Sequence, residues 1–342
     1  MRTAIVLFNL GGPDRPEAIK PFRVNLFLDK AIIRAPWFIR VWLSRLIARS
    51  SSKAAYENYQ LMGGKSPLLE LTQAQASALE ANLGPDYRCF IAMRYWHPFA
   101  RETIRELKAW APERVLLLPL YPQFSTTTTG SSLTNWREAV AEAGLTVQVT
   151  TLCCWFDDEA YVASIAALVR EAIEDAMAQK KGLRLRVLFS AHGLPESIIK
   201  AGDPYQAQVE ATSAAVMTLL ANTGVEAQVC YQSRATPQKW LEPSTIEAIE
   251  QAGRDGVGVV VVPIAFVSDH IETLVELDIE NRHLAEKAGV PVYIRSRAPN
   301  DDPDFIRALA GLVRRAKTPG LCRGGSPCGK HKDCPWEIRG AP

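Results

Sequence analysis

The chain runs VGVVVVPIAFVSDHIETLVELD from Val257 to Asp278, and this stretch joins a strand pattern to a cluster of acids. The run Val257–Ile264 is apolar and rich in valine, which is typical of a parallel strand buried on both faces. After it, Ser268 or Asp269 is predicted to cap a helix. A buried strand that leads directly into a helix is the repeating unit of an α/β fold.

The predicted helix carries an acidic stripe. At about 3.6 residues per turn, Glu272, Glu276 and Glu280 lie on one face together with Asp269. Like charges four residues apart repel each other, so the stripe costs helix stability unless a cation uses it. A solvated helix face is the simplest interpretation. Open α/β sheets bind ligands at the carboxyl ends of their strands, however, and carboxylates are hard donors, so the stripe indicates a path for a divalent cation.

The amino-acid composition limits the class of protein to which the chain can belong. The chain has 342 residues, of which 47% are hydrophobic and 22% charged, as expected for about two globular domains. Lysine plus arginine (39) nearly equals aspartate plus glutamate (37), which argues against a nucleic-acid partner. No apolar run reaches the roughly 18 residues of a membrane span, and the first run is too short for a signal peptide, so we expect a cytoplasmic protein. Seven cysteines argue against a disulfide framework.

Strand patterns alternate with helical patterns along the chain, which predicts βαβ units and parallel sheets. The helical patterns include Leu69–Leu83, Glu159–Ala178, Tyr205–Ala221 and His270–Ala288. The predicted strands are Ala4–Phe8, Arg88–Met93, Val115–Leu120, Thr146–Thr151, Arg186–Ser190, Ala227–Tyr231, Val257–Ile264 and Val292–Ile294.

The eight strands divide into two sets of four that resemble each other. LFNLGGP of residues 7–13 is echoed by LFSAHGLP of residues 188–195, and LPLYPQFS of residues 118–125 by VPIAFVS of residues 262–268. We therefore predict two similar half-domains that face a cleft, residues 1–152 and 153–316, each with a four-stranded parallel sheet flanked by helices. Residues 317–342 are a cysteine-rich tail.

An apolar insertion of one or two helices, about residues 21–48, separates the first two strands. Its many aromatic and aliphatic residues are flanked by arginines. Such a segment can form an interfacial membrane surface or the lip of an apolar pocket, and plain core packing is the alternative.

His192 is the first candidate for chemistry. It follows the strand Arg186–Ser190 in a glycine- and proline-rich turn, where we expect it to face the cleft. Its ordinary pKa lies near the working pH, which suits a proton acceptor.

Large rings recur at the ends of other strands. Flat aromatic walls suit a flat apolar ligand, and Arg94 with Tyr59 and Ser66 could hold its carboxylates. The predicted rim consists of Arg94, Tyr95, Tyr121, Tyr231 and Trp240.

Cys322, Cys328 and Cys334 are spaced six residues apart in the tail. With a fourth donor, such thiolates bind zinc or an iron–sulfur cluster equally well on spacing alone. Cys89 and Cys230 lie inside predicted strands and are interpreted as small core residues.

The chain resembles the ferrochelatases, enzymes that insert ferrous iron into a porphyrin. The resemblance covers nearly the whole chain. The matching motifs are LGGP (10–13), GGKSP (63–67), RYWHP (94–98), YPQFS (121–125), TTGSS (128–132), SAHGLP (190–195), GDPY (202–205) and SDHIETL (268–274).

The resemblance implies two Rossmann-like halves with the porphyrin in the cleft. It implies that His192 acts as proton acceptor or metal-side ligand, with Glu272 opposite or beside it. We also expect a path for a cation or proton through Glu276, Asp278 and Glu280, with Asp269 at its start. No Walker-type glycine loop is present, and such single-chain chelatases need no ATP.

Members that use protoporphyrin carry an apolar lip and sit on the inner membrane face, and Leu10, Trp37 and Leu43 fit this apolar case. The chain departs from the vertebrate pattern at Leu10, Tyr231 and Ser51, the last of which stands where an arginine is expected near the propionates. The alternatives are a chelatase for coproporphyrin or another metal and a non-catalytic porphyrin or haem carrier. A monomer and a homodimer are both compatible with the sequence.

Many ferrochelatases hold a [2Fe–2S] cluster with C-terminal cysteines plus one from the body, which favours a cluster here. The vertebrate body cysteine falls in the segment corresponding to residues 125–128, where this chain has no cysteine. Cys153 and Cys154 offer a substitute. Because side chains alternate along a strand, only one of the two should face the tail. We favour Cys154, with His331 as a further candidate.

Overall fold

The structure of the protein, a computed structural model, describes residues 1–233, 238–316 and 320–321. The predicted tail ligands Cys322, Cys328 and Cys334 lie outside the described residues, as do His331 and the turn residues 234–237.

The first sheet is all parallel, with the order β2-β1-β3-β4-β9. Every residue of its central strand, Thr3–Asn9, is buried, as the apolar sequence predicts. Its strands are β1 (Thr3–Asn9), β2 (Tyr87–Met93), β3 (Arg114–Pro119), β4 (Gln148–Thr151) and β9 (Gly320–Leu321).

The second sheet is also all parallel, with the order β6-β5-β7-β8. It repeats the order of the first four strands, which confirms the predicted internal likeness of the two sets. The eight predicted strands are confirmed, and the two-residue β9 is an addition to the first sheet. The strands of the second sheet are β5 (Leu185–His192), β6 (Glu226–Gln232), β7 (Gly258–Pro263) and β8 (Tyr293–Arg295).

Helices connect the strands and cover the sheets. Sequence-encoded caps begin some of them: Asp158 accepts a hydrogen bond from the Tyr161 amide, and Ser244 forms a capping box with Glu247. The α-helices are α1 (Ile19–Leu28), α2 (Trp37–Ser50), α3 (Ser52–Gln60), α4 (Leu68–Leu83), α5 (Ala100–Trp110), α6 (Thr129–Ala143), α7 (Glu159–Gln179), α8 (Glu196–Lys200), α9 (Tyr205–Leu219), α10 (Thr245–Arg254), α11 (Asn281–Lys287) and α12 (Pro303–Arg315). Within the described ranges, no helix is long and apolar enough to cross a membrane.

The acidic segment differs from the predicted regular helix. Glu272–Glu280 is a π-helix, which continues as α11. The predicted cap at Ser268 or Asp269 is wrong, because Ile271 is the first flanking residue and no side chain caps the helix. In a π-helix the backbone hydrogen bonds run between residues five apart, so glutamates four apart do not superpose as they would on an α-helix.

The described residues form two compact units, one of residues 1–154, 309–316 and 320–321 and the other of residues 155–308 apart from 234–237. The first unit contains residues 1–154 with the first sheet, and the second contains the second sheet. The predicted domain boundaries, at residues 152/153 and 316/317, stay predictions.

Candidate active site

His192 and Glu272 meet at the carboxyl edge of the second sheet. His192 is the last residue of β5, and Glu272 begins the π-helix that follows β7. β5 and β7 are neighbours, and β6 and β8 flank them on opposite sides. The connections after β5 and β7 therefore run in opposite directions. In an open α/β sheet, this switch point is where ligands bind.

The two side chains form a pair with Nδ1 of His192 3.0 Å from Oε2 of Glu272. Burial by itself lowers the pKa of His192, but the charge of Glu272 and its hydrogen bond outweigh burial, so the pKa is raised. Burial likewise opposes the ionised form of Glu272, yet His192 and then His270 hold the pKa of that carboxyl far below its usual value. Glu272 is thus a fixed negative charge against which His192 can gain or lose a proton.

A close backbone approach positions the histidine. The amide of Gly193 donates to the carbonyl oxygen of Gln232 at 2.7 Å. A Cβ atom on Gly193 would lie 2.7 Å from that same oxygen, so only glycine fits. The glycine in the SAHGLP motif therefore ties the end of β5 to the end of β6.

Glu276 lies next to this pair. Its Oε2 accepts hydrogen bonds from the Ser233 hydroxyl at 2.8 Å and from Nε2 of Gln232 at 3.4 Å. Gln232 also donates to the backbone oxygen of Glu272 at 3.3 Å. Burial, together with the nearby charge of Glu272, raises the pKa of Glu276 to about 7. Glu276 can therefore exchange a proton near neutral pH, which an ordinary glutamate cannot.

The other predicted path acids have different surroundings. Oδ1 of Asp269 lies 3.0 Å from Nη1 of Arg295, and Oδ2 of Asp278 lies 2.7 Å from Nε of the same arginine. Glu280 is exposed. Both aspartates thus share one guanidinium, whereas Glu272 pairs with His192 and Glu276 accepts from Ser233 and Gln232. A path role for Asp269, Asp278 and Glu280 stays a prediction.

Sequence reasoning missed several residues of this unit. Nε2 of His270 lies 3.8 Å from Oε2 of Glu272, so the carboxylate sits between two histidines. His270 adjoins the predicted stripe, so its position in SDHIETL was the available signal. Arg295 and Asn300 also contact the segment. A charged residue at the carboxyl end of an apolar strand was the only signal for Arg295.

Three motifs of the first unit converge at the carboxyl ends of β1 and β2. A Cβ atom on Gly12 would overlap the Ser66 hydroxyl, and the amide of Ser66 donates to the oxygen of Pro13 at 2.8 Å. The amide of Tyr95 donates to the oxygen of Leu10 at 3.0 Å. The structure therefore brings together LGGP, GGKSP and RYWHP, and with them the predicted porphyrin contacts Leu10, Ser66, Arg94 and Tyr95.

Arg94 is already paired. Its Nη2 lies 2.8 Å from Oδ2 of Asp29, and its Nε donates to the Ser131 hydroxyl at 2.6 Å. Tyr95 is fully buried and its hydroxyl donates to the same Asp29 oxygen at 2.7 Å. A porphyrin carboxylate at Arg94 would have to compete with Asp29, which the sequence did not indicate as a partner.

Most of the other residues predicted to contact the porphyrin are buried. Tyr59, Tyr231 and Trp240 are buried, whereas Tyr121 and Leu10 are partly buried. Their roles in binding a porphyrin stay predictions.

Cys153 and Cys154 follow the last residue of β4, so strand alternation does not govern their directions. Both are buried, and their sulfur atoms lie 3.8 Å apart. Cys230 lies in the core of the second sheet, where burial raises the pKa of its thiol to about 12, as expected for a packed residue. Over residues 1–233, 238–316 and 320–321, no group of three histidine, cysteine, aspartate or glutamate side chains is arranged to hold a metal ion.

Two solved structures have a similar fold. SirB from Bacillus subtilis, solved with Fe3+, has a TM-score of 0.56 at 12% identity, covering 92% of this chain and 96% of that one. The sirohydrochlorin chelatase SirB from Bacillus subtilis subspecies spizizenii, in complex with cobalt, has a TM-score of 0.54 at 13% identity and covers 92% of this chain and 95% of that one. Identities this low show a shared fold only.

Sequence relatives are much more similar. A ferrochelatase of Caulobacter vibrioides is 50% identical over 342 residues, covering 98% of this chain and 96% of that protein. A ferrochelatase of Phenylobacterium zucineum is 51% identical over 315 residues, covering 91% of this chain and 90% of that protein. The sequence pattern of the ferrochelatase family matches residues 2–317. The chain therefore belongs to the ferrochelatase family.

Proposed function

We propose that this chain inserts ferrous iron into protoporphyrin IX to give protohaem, the terminal step of haem biosynthesis, without ATP. The observation that carries the proposal is the pair of His192 and Glu272 at the switch point of the second sheet, 3.0 Å apart. The relatives named ferrochelatase support the same reaction class.

Metal insertion replaces two pyrrole N–H protons of the porphyrin by one Fe2+ ion, so two protons must leave. Nδ1 of His192 faces Glu272, which leaves Nε2 as the atom directed to substrate. Nε2 accepts a pyrrole proton, and the negative charge of Glu272 stabilises the imidazolium that forms. Glu276, whose pKa is raised to about 7 by burial and by the charge of Glu272, accepts the proton that His192 then releases, so that Nε2 is free to take the second pyrrole proton.

The test is anaerobic incubation of the purified chain with ferrous iron and protoporphyrin IX, followed by the absorbance of protohaem. We expect turnover without nucleotide. Parallel reactions with coproporphyrin and with Co2+ examine the alternative substrates. Binding of protoporphyrin without any metal insertion would instead identify a carrier and contradict the proposal.

The hairpin of α1 and α2 supports a second proposal, that the protein docks on an anionic membrane surface. Trp37, Phe38 and Trp42 are 68%, 63% and 64% exposed. Aromatic residues beside basic ones are typical of interfacial membrane binding. Lys30, Arg34 and Arg40 line an open depression of about 580 Å3 together with Trp37, which places positive charge beside the exposed rings.

Co-sedimentation with lipid vesicles tests this docking. We expect binding to vesicles that contain phosphatidylglycerol and much weaker binding to pure phosphatidylcholine. Trp42→Ser should weaken binding, whereas Ile246→Ser, which removes another exposed apolar residue, from α10, should not. Equal binding to both vesicle types, or none, would contradict an anionic docking surface.

We also propose that the cysteine tail holds a [2Fe–2S] cluster with Cys322, Cys328, Cys334 and Cys154. The donor chemistry fits, because cysteine thiolates are the usual ligands of such clusters. β9 supports the proposal from the backbone, because Leu321 pairs with Thr151 in parallel register. Cys322 comes directly after Leu321 in sequence, and Cys153 and Cys154 come two and three residues after Thr151. When bound, a cluster would cross-link the tail to the end of β4.

A further inference from the structure

A buried arginine joins the two ends of the acidic segment. The Arg295 side chain is only 10% exposed. Its Nη1 lies 3.0 Å from Oδ1 of Asp269, just before the π-helix, and its Nε lies 2.7 Å from Oδ2 of Asp278, near the end of the π-helix. The planar guanidinium can hold two carboxylates in fixed directions at once, which a lysine cannot do.

Asn300 completes the arrangement at the first end. Its side-chain oxygen accepts from the Asp269 amide at 2.9 Å, and its Nδ2 donates to Oδ2 of Asp269 at 2.9 Å. Asn300 has a φ of 48°, a left-handed conformation that asparagine tolerates better than most residues. The Thr273 hydroxyl also donates to Oδ1 of Asp269 at 2.8 Å. The Asp269 carboxylate at the first end of the segment therefore contacts three side chains.

The segment between Asp269 and Asp278 contains Glu272 and Glu276. A π-helix is normally limited to a single turn, because its hydrogen bonds are less favourable than those of an α-helix. Here nine residues adopt it. A contact that spans Asp269 to Asp278 holds both ends of the segment while the two glutamates between them face His192 and Ser233.

We propose that Arg295 is a positioning residue for metal insertion: by bridging Asp269 and Asp278 it holds the π-helix so that Glu272 faces His192 and Glu276 faces Ser233. Asp269 and Asp278 then act through Arg295 and do not themselves carry the cation. The inference rests on the proposed metal insertion and deepens it. Misplacing a reacting group by about 1 Å can cost about 100-fold in rate.

Arg295→Lys is the first test, because lysine keeps the charge but lacks the planar fork that holds the two aspartates in fixed directions. We expect kcat for iron insertion to fall about 10- to 100-fold well below the melting temperature, with little change in KM for protoporphyrin. Hydrogen exchange at the amides of residues 272–280 should become faster. Arg282→Lys is the matched control, because Arg282 also contacts Asp278, at 3.6 Å, but is more exposed and has no contact with Asp269 among the described ion pairs.

A double-mutant cycle with Asp278→Asn separates the bridge from a cation path. If Asp278 acts through Arg295, the double variant will be no slower than the slower single variant. Multiplicative losses would show that Asp278 acts independently and would overturn the proposal. So would a kcat for Arg295→Lys equal to that of wild type or of Arg282→Lys.

If Arg295→Lys does not fold, Asp278→Asn by itself tests the bridge, because this variant leaves the Arg295–Asp269 contact in place. Lower kcat together with faster exchange of residues 272–280 supports the bridge, and unchanged exchange overturns it. A wild-type protein that forms no protohaem would instead contradict the proposed function, so the two failures are distinguishable.

Discussion

Nδ1 of His192 and Oε2 of Glu272 lie 3.0 Å apart although the residues are 80 positions apart in the chain. Two neighbouring parallel strands, β5 and β7, bring them together at their carboxyl ends. The pairing raises the pKa of the histidine against the opposing effect of burial and lowers that of the glutamate. The same contact therefore fixes the orientation of the imidazole and its capacity to take a proton.

His192→Ala should abolish iron insertion while protoporphyrin still binds, since the imidazole of His192 accepts a proton and is not needed to hold the macrocycle. Loss of a general base costs about 100-fold or more. The anaerobic rate and porphyrin fluorescence titration measure the two properties. His97→Ala is the control, because His97 also pairs with a glutamate, Glu102, but is more exposed. Near-normal turnover of His192→Ala would remove the assigned role.

Glu272→Gln should lower turnover by about 100-fold or more, because the amide cannot stabilise the imidazolium of His192. Glu280→Gln should cost much less, since Glu280 is exposed at the end of the π-helix. Both variants keep the side-chain shape. Equal and small losses in steady-state assays would show that the stripe is only a solvated face.

Glu276→Gln should change the pH dependence of stability. Burial and the Glu272 charge raise the pKa of Glu276 to about 7 from an ordinary 4.5. Between these pH values the folded state holds a proton that the unfolded state has lost, so this group's contribution to stability falls as pH rises from about 4.5 to about 7.

The neutral glutamine avoids that loss. We expect the variant to be more stable than wild type by about 1–3 kcal/mol at pH 8, because each pKa unit corresponds to about 1.4 kcal/mol, with a much smaller difference at pH 5. Urea unfolding at the two pH values checks it. A difference that does not depend on pH would contradict the raised pKa.

The purified protein should be reddish and contain iron and sulfide if the tail holds a [2Fe–2S] cluster. Cys322→Ser, Cys328→Ser, Cys334→Ser and Cys154→Ser should each bleach it, because each removes a thiolate ligand. Cys153→Ser compares the neighbouring cysteine, and Cys230→Ser is the control in a buried strand. Visible spectra with iron and sulfide analysis are the measurements. A colourless protein with stoichiometric zinc would refute the cluster and leave the chelatase function intact.

The strands could be predicted because buried parallel strands have long apolar runs. Val257–Ile264 was expected and Gly258–Pro263 is observed. The π-helix could not be predicted, since Glu272, Glu276 and Glu280 have the spacing of an α-helix. Asp269 and Asp278 at the two ends of this segment both contact Arg295 of β8, and local spacing does not report partners that far along the chain.

The site was predictable where a motif ends a strand, as at His192, and less so where partners come from distant elements. The ionic partner of Arg94 is Asp29, 65 residues away, and that of Asp269 is Arg295. Such pairs depend on tertiary packing, and neither hydropathy nor periodicity reports them.

The rate of anaerobic iron insertion in a double-mutant cycle of His192→Ala and Glu272→Gln tests the central claim most directly. If the two residues act as one unit, each single variant will lose most of the activity and the double variant will be no slower than the slower single. Losses that multiply, or single variants with near-wild-type rates, would contradict the account.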